Sequence, residues 1–456
     1  MSTATIGADA ARAIARAGNE PDWLERWRLQ AWDSYEGAPL PDRVVHLWRY
    51  SEPEKFLIDK VNPLLPDGSE GQAVDRAAAM SLSDKFSSGS TQNLAGLLIQ
   101  QDGQAPAFAL EDEWRDAGVI LCDLSTAVQQ HPEIIEKHLG GQVPIEESKF
   151  TALNAALFSG GVFLYVPAGV EIGTPVHALY QSGQDLAAVF PRTLIVLEEG
   201  ASAIVIDEYG SAPDASTNRA SGAGSNGAAP RVIAHAVTEA SVGKNAKLQY
   251  VNVQNWGSRT RSHYTQKIHL GRDAQAVSVG IGLGGLYNKT DVRTELRGAN
   301  AYSEMIGVLF GDASQHFDNH TEHIHVHGHT YSDLDFKVVL ENSARSAYTG
   351  LIRIDVDAAD SEAYQENRNL LLDEECRAES IPELEILNEN VRCTHGATIG
   401  PIDEEQVFYL MTRGLSLRDA ERIIVEGFFA PVLDRIDDKA MHARLWDYVR
   451  SKLQTR

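Results

Sequence analysis

Three stretches decide the fold: GKNAKLQYVNVQ (243–254), GRDAQAVSVGIG (271–282) and GANAYSEMIGVL (298–309). Each opens on a G-x-[ND]-A turn and runs on into a strand-like segment. The leading glycines are 271 − 243 = 28 and 298 − 271 = 27 residues apart. Glu341-Asn-Ser-Ala344 opens a comparable run before Tyr348 to Ile354. Turn–strand units repeating at this period predict a solenoid, in which each coil stacks its strands on the next around an interior ladder. A meandering β-sandwich gives similar turns and stays open on this evidence alone.

The runs upstream agree. Val162 to Val166, Thr193 to Leu197, Ala203 to Ile206 and Leu248 to Val253 are short, rich in β-branched and aromatic residues, and bounded by Gly, Asn or Asp. No helical segment of ten to fifteen residues separates them, which disfavours a doubly wound α/β sheet. Gly210 to Pro230 has almost no large apolar residue to offset its ordering entropy and reads as a flexible surface excursion.

Helical periodicity brackets this β region. Ala10, Ile14 and Ala17, then Trp23, Trp27 and Leu29, mark amphipathic helices near the start, and Leu124 to Leu139 reads as another, stopped by Gly140-Gly141. Residues 62–105 read as loop around short elements. Near the end, Asp403 with Gln406 and Ser416 with Asp419 form capping-box patterns ahead of two apolar-periodic segments. The expected organisation is an N-terminal helical region (1–150), a β core (151–373, with the insertion 210–230), and a last coil plus C-terminal helical region (374–456).

Composition narrows the function. With 456 residues, 40 basic and 64 acidic, the net charge is −24, which repels phosphate backbones and argues against a nucleic-acid partner. The two C-terminal helices have a helix–turn–helix spacing but are acidic, so DNA binding fails there too. Asn154 to Val170, the most apolar stretch, is broken by Gly160, Gly161, Pro167 and Gly169, so no membrane span is expected. The N-terminus has neither signal- nor transit-peptide character. Three cysteines, Cys122, Cys376 and Cys393, fit a reducing, cytoplasmic setting better than a disulfide framework.

Two constellations could carry chemistry. Six of the fifteen histidines fall between His316 and His329. In a continuous strand His323, His325, His327 and His329 would share one face and could converge on a metal, as in a β-solenoid metalloprotein; the alternative is a hydrogen-bonded face of a β-rung. Cys393-Thr-His395, with Cys376 17 residues upstream, offers thiolate and imidazole donors of the kind iron–sulfur species use. Two cysteines and one histidine are too few for a closed four-ligand site, but suit a transient one completed by another chain; buried cysteines acting as small hydrophobes are the alternative. Gly280-Ile-Gly282-Leu-Gly284-Gly285 mimics a dinucleotide fingerprint, yet no convincing helix follows it, so glycines at solenoid corners explain it better. No P-loop, H-E-x-x-H or G-x-S-x-G motif is present.

Four segments carry a family resemblance. SDLDFKVVLENSARSAYTGLIRI (332–354), RCTHGATIGPIDEEQVFYLMTRGLS (392–416), ALNAALFSGGVFLYVPAGV (152–170) and LPDRVVHLWRY (40–50) resemble signature blocks of the SufB/SufD family of iron–sulfur assembly proteins, most like its SufD side. The resemblance implies a right-handed parallel β-helix between helical ends, acting as a non-catalytic scaffold for a nascent, transient iron–sulfur cluster. It implies docking of a SufC-type ATPase on residues 403–436, with Phe408, Tyr409, Arg413 and Phe428 as contacts. It implies pairing with a SufB-type paralogue, or with a second copy as a homodimeric scaffold, and a role for His395, with Cys376 standing in the segment where SufB carries a functional cysteine. This chain keeps Cys376 where the SufD pattern lacks a cysteine, and has C-T-H-G-A-T where SufB has E-H-E-A-T.

Overall fold

The computed structural model describes residues 7–44, 46–64, 71–75, 77–78, 81, 93–184, 186–211, 232–436 and 439–454. It is mainly β, a parallel solenoid flanked by helices, so the sandwich alternative falls. Most of the expected excursion at 210–230 lies outside the described residues. Among the described residues, the strands form two eleven-stranded sheets, and successive strands of the solenoid alternate between them. The sequence period is the coil length: Lys247 aligns with Gln275 and Gln275 with Tyr302, steps of 28 and 27 residues.

The turns explain the Asn/Asp preference. Asn245, Asp273 and Asn300 all sit in the left-handed region, at φ 55°, 59° and 59°, which after glycine short polar side chains tolerate best. They stack as a ladder, the Asn245 N–H donating to Arg272 O and the Asp273 N–H to Ala299 O, both at 2.9 Å. The alanine closing each turn (Ala246, Ala274, Ala301) is buried. The ladder continues through His329 and Asp360, at φ 58° and 57°. The Glu341-Asn-Ser-Ala344 turn therefore belongs elsewhere: it lies at the opposite corner, where the Ser343 N–H bonds Ala313 O at 2.9 Å. Both corners use left-handed residues, so the local motif does not tell one from the other. The glycine motif is also split. Gly280 and Gly282 lie within a strand, while Gly284 is at a corner so tight that a Cβ would fall 2.2 Å from Trp256 O.

The helices cover the outer faces. Ala8–Ala17 and Asp22–Gly37 pack with Lys149–Leu157 on the first sheet, burying Ile14, Leu24, Phe163 and Leu194 in one cluster. The expected helix at 124–139 is two, Leu124–Gln130 and Pro132–His138, because Pro132 cannot continue the first. After the solenoid, Glu404–Thr412 is capped by Asp403, whose Oδ1 accepts from the Glu405 N–H at 2.9 Å. Leu417–Leu433 and Lys439–Gln454 then fold back over the second sheet, setting Val425, Phe429 and Val449 on Val251, Val279 and Val308. Arg444 anchors the last helix on buried Glu208 at 2.5 Å.

The two ends of the solenoid differ. At its start, Ile120–Cys122 pairs antiparallel with Val162–Val166, and Ala107–Leu110 pairs antiparallel with Gly96–Gln101, so neighbouring chain covers the first coil. At its finish, nothing among the described residues covers the last coil.

Candidate functional site

Arg377–Ile386 and Val391–Pro401 make the last coil, each the terminal strand of its sheet. The Ile402 N–H bonds Leu371 O at 2.9 Å, and Asn390 O accepts the Asp360 N–H at 2.8 Å. Alternation then directs the even-numbered backbone groups of Val391–Pro401 onto the preceding coil. The odd-numbered ones, His395 and Ala397 among them, point off the open edge. An edge of eleven residues with no bulge and one charge, Arg392, is a template for another strand. The other edge is blunted. The same alternation, set by the Arg377 N–H to Ala344 O and Leu387 N–H to Ile354 O bonds, turns position 382 outward, and Pro382 has no N–H to offer.

His395 stands opposite Gln365, and Cys393 opposite Ala363. Gln365 and Ala363 are buried in the lumen, so His395 and Cys393 face the lumen mouth, two residues and roughly 7 Å apart along one face of the strand. One coil deeper, Gln365 Nε2 donates across the lumen to Gly350 O at 3.1 Å and closes it. His395 lies outside that closure, exposed, with no side-chain hydrogen bond or ion pair among the described residues. Cys393 is half-buried against Ile352 and Leu384, and burial pushes its thiol up to about 11.

Cys376 is elsewhere. It is buried beneath the opposite corner, its Sγ donating to Asn342 O at 3.3 Å, and burial raises its thiol too. Because Leu371 aligns with Pro401, that corner lies eight strand positions from Cys393, about 25 Å. The structure brings His395 and Cys393 together and leaves Cys376 apart.

The histidine row divides. The strand His316–His325 stops at His325, so the alternation that would align His327 and His329 with it ends there. His323 Nε2 pairs with Ser303 Oγ at 3.0 Å, and His325 with Thr330 Oγ1 and Ser332 Oγ at 2.7 and 2.8 Å. Burial holds these two imidazoles down at about 3 and 4, hence neutral. His327 and His329 are exposed in the turn; His327 Nδ1 accepts the Gly328 N–H at 2.9 Å, and His329 lies 3.9 Å from Asp360. Among the described residues no three His, Cys, Asp or Glu side chains are grouped to hold a metal ion.

The four expected docking residues also divide. Phe408 and Tyr409 stand out from Glu404–Thr412, 68% and 58% exposed, and Arg413 covers the Tyr409 ring at 5.1 Å. Phe428 is half-buried on the next helix, its carbonyl accepting from Lys337 Nζ at 3.0 Å. Tyr409 and Phe428 share a groove of about 750 Å³ with Leu370, Pro401 and Ile423. Sequence reasoning missed Met411, Leu417 and Ile423, exposed around the same helices. It also missed Ile386 and Leu387, exposed beside the open coil. Their signal was an apolar residue in a coil with no following coil to cover it.

The chain matches the SUF system FeS cluster assembly, SufBD core domain family over residues 179–428, which is 250 of 456 residues. It matches the SufBD protein N-terminal region over residues 104–178. It is 29% identical over 453 residues to the iron–sulfur cluster assembly protein SufD of Bacillus subtilis (strain 168), covering 97% of each chain. It is 28% identical over 431 residues to an iron–sulfur cluster assembly SufBD family protein of Staphylococcus aureus (strain MRSA252), covering 92% of this chain and 87% of the relative. No helix among the described residues is long and apolar enough to cross a membrane. A parallel solenoid with an open, histidine-bearing last coil, matched across its length in these ways, belongs to the SufBD family of iron–sulfur cluster assembly proteins.

Proposed function

We propose that this chain is a SufD-like, non-catalytic scaffold subunit of a cytoplasmic iron–sulfur assembly complex. It pairs through its last coil with a SufB-type paralogue and docks a SufC-type ATPase, which supplies the ATP hydrolysis, on its C-terminal helices. The observation that carries this reading is His395: an exposed imidazole without an internal partner among the described residues, on a strand with one open edge, at the mouth of the lumen.

The donor set fits a nascent iron–sulfur cluster as cargo. An imidazole nitrogen and the Cys393 thiol on one strand face can reach one iron-bearing ligand, and a second chain completes the set. The Cys393 thiol is protonated at neutral pH in the isolated chain, so cluster assembly there must draw off its proton. Cys376 cannot share that site from within its own protomer; any role for it is at the far corner of the same interface.

The docking half of the reading has its own test. Phe408→Ala with Tyr409→Ala removes two exposed rings and leaves the folded state within about 0.5 kcal/mol per site. Co-purification with the SufC-type ATPase is expected to weaken at least tenfold, in the range of lost aromatic anchors. Unchanged recovery of the ATPase in size-exclusion chromatography would move its contact off these helices. Co-expression with both partners, followed by a visible absorption spectrum, tests the whole assembly.

A further inference from the structure

Midway along the solenoid the lumen holds a cavity of about 40 Å³. Two glycines on neighbouring strands, Gly280 and Gly307, stand opposite each other in register and explain how it forms. Gly307 gives up its space to the Phe336 ring, whose Cε2 lies 2.1 Å from where a Cβ would be. Gly280 does not: a Cβ there would meet nothing closer than Ile306 O, at 3.9 Å. Across the lumen, Thr290 and Val292 align with Asn319 and Thr321 to make the facing wall. No charged side chain lines the cavity among the described residues, but much of the wall is polar. Most of those groups are already paired. Gln266 Nε2 donates to Ser278 Oγ at 2.8 Å, Gln254 Nε2 to Asn252 Oδ1 at 3.2 Å, and Thr321 Oγ1 lies 2.8 Å from Tyr348 OH. Asn319 is the exception. It is 4% exposed, and its Nδ2 has no hydrogen-bond partner among the described residues.

We propose that this chamber is a binding site for internal water, held by the Asn319 amide, and that the water joins two hydrogen-bonded halves of the lumen. A cavity admits a water once it offers roughly 10–15 Å³, so this one takes about two. The wall chooses the ligand. A buried amide N–H calls for an acceptor, so an apolar guest would leave it unpaired. An ion would find no opposite charge to offset its lost hydration. Water both accepts and donates, and so satisfies the amide in either of its orientations. One half of the network starts at the buried Asp207 carboxylate, which accepts from Tyr250 OH at 2.8 Å. It runs through Tyr264 OH, 2.9 Å from Tyr250 OH, to Gln266 Oε1 at 3.1 Å. The other half is the Thr321–Tyr348 pair, one coil short of the Gln365–Gly350 closure beneath His395. Water in the chamber makes these one polar interior, which stiffens the rod between its first coils and its last. The site lies apart from the proposed cluster site and does not depend on it.

Electron density in crystals of the unmodified chain, with and without xenon pressure, tests the proposal. Water is expected within hydrogen-bond reach of Asn319 Nδ2, and xenon is expected to stay out, because it settles in dry apolar cavities. Xenon in the chamber, or an Asn319 amide turned onto a protein acceptor with the space closed, would overturn it. In solution, magnetic relaxation dispersion of the water signal counts long-lived internal waters. Gly280→Ala combined with Asn319→Leu adds bulk where a Cβ has room and removes the amide, so it should lose about two of them. An unchanged count in a double variant that circular dichroism shows to be folded would contradict the proposal. The crystal experiment needs no variant and decides the matter if the double variant does not fold.

Discussion

Cells that depend on a His395→Ala chain are expected to lose iron–sulfur enzyme activity to background while the protein accumulates, folds and co-purifies with its partners normally. The two halves have separate causes. Folding is spared because the imidazole is exposed and makes no hydrogen bond or ion pair among the described residues, so truncation leaves no buried group unsatisfied. Its effect on stability should stay within about 0.5 kcal/mol. Maturation fails because the open face then offers one donor fewer, and the thiol left beside it is half-buried and protonated. Thermal unfolding checks the first half, and activity of a cluster-dependent enzyme in lysate checks the second. Normal activity with the variant as sole copy would remove His395 from the account.

Glu239→Ala should have the opposite profile, a large loss of stability far from the cluster site. Glu239 is fully buried and accepts the Gly140, Gln142 and Val143 N–H groups at 3.1, 3.1 and 3.0 Å, together with the Arg192 guanidinium. Arg192 is itself fully buried and bonds Asn154 Oδ1 at 2.9 Å. This one carboxylate therefore ties the loop at 140–143 to the first sheet. Removing it strands a buried cation, a change that costs about 3–5 kcal/mol. The chemical-denaturation midpoint should fall accordingly, with proteolysis opening the chain first around residues 139–147. A loss below about 1 kcal/mol would mean that water reaches Arg192 and that the site is not closed.

Much of the architecture was legible because a solenoid writes its period into the chain. The 28- and 27-residue spacing of the G-x-[ND]-A turns is the coil length, since each turn needs a left-handed residue and each coil repeats the turn. The phase was not legible at Glu341-Asn-Ser-Ala344, where the other corner makes the same conformational demand. The histidine row failed for a related reason. Period-two alternation holds only while the strand lasts, and the chain turns after His325, between one candidate ligand and the next.

The candidate site shows the same logic at the scale of a coil. Cys376 and Cys393 are 393 − 376 = 17 residues apart, close in sequence. In a coil of about thirty residues that is roughly half a circuit, so they lie at opposite corners, while His395 and Gln365, exactly one coil apart at 30 residues, are neighbours. What no local pattern reveals is that the coil holding His395 is the last. That requires knowing that no further strand follows Val391–Pro401 among the described residues, and it is this ending that turns an interior histidine position into an exposed one.

Hydrogen exchange along Val391–Pro401, compared between the isolated chain and the complex with the SufB-type paralogue, tests most directly whether the partner meets this edge. Amides of Cys393, His395, Ala397 and Ile399 are expected to exchange freely in the isolated chain and become protected in the complex, while those of Thr394, Gly396 and Thr398 are protected in both. Equal exchange of the odd-numbered amides in both states would show that the partner does not meet this edge.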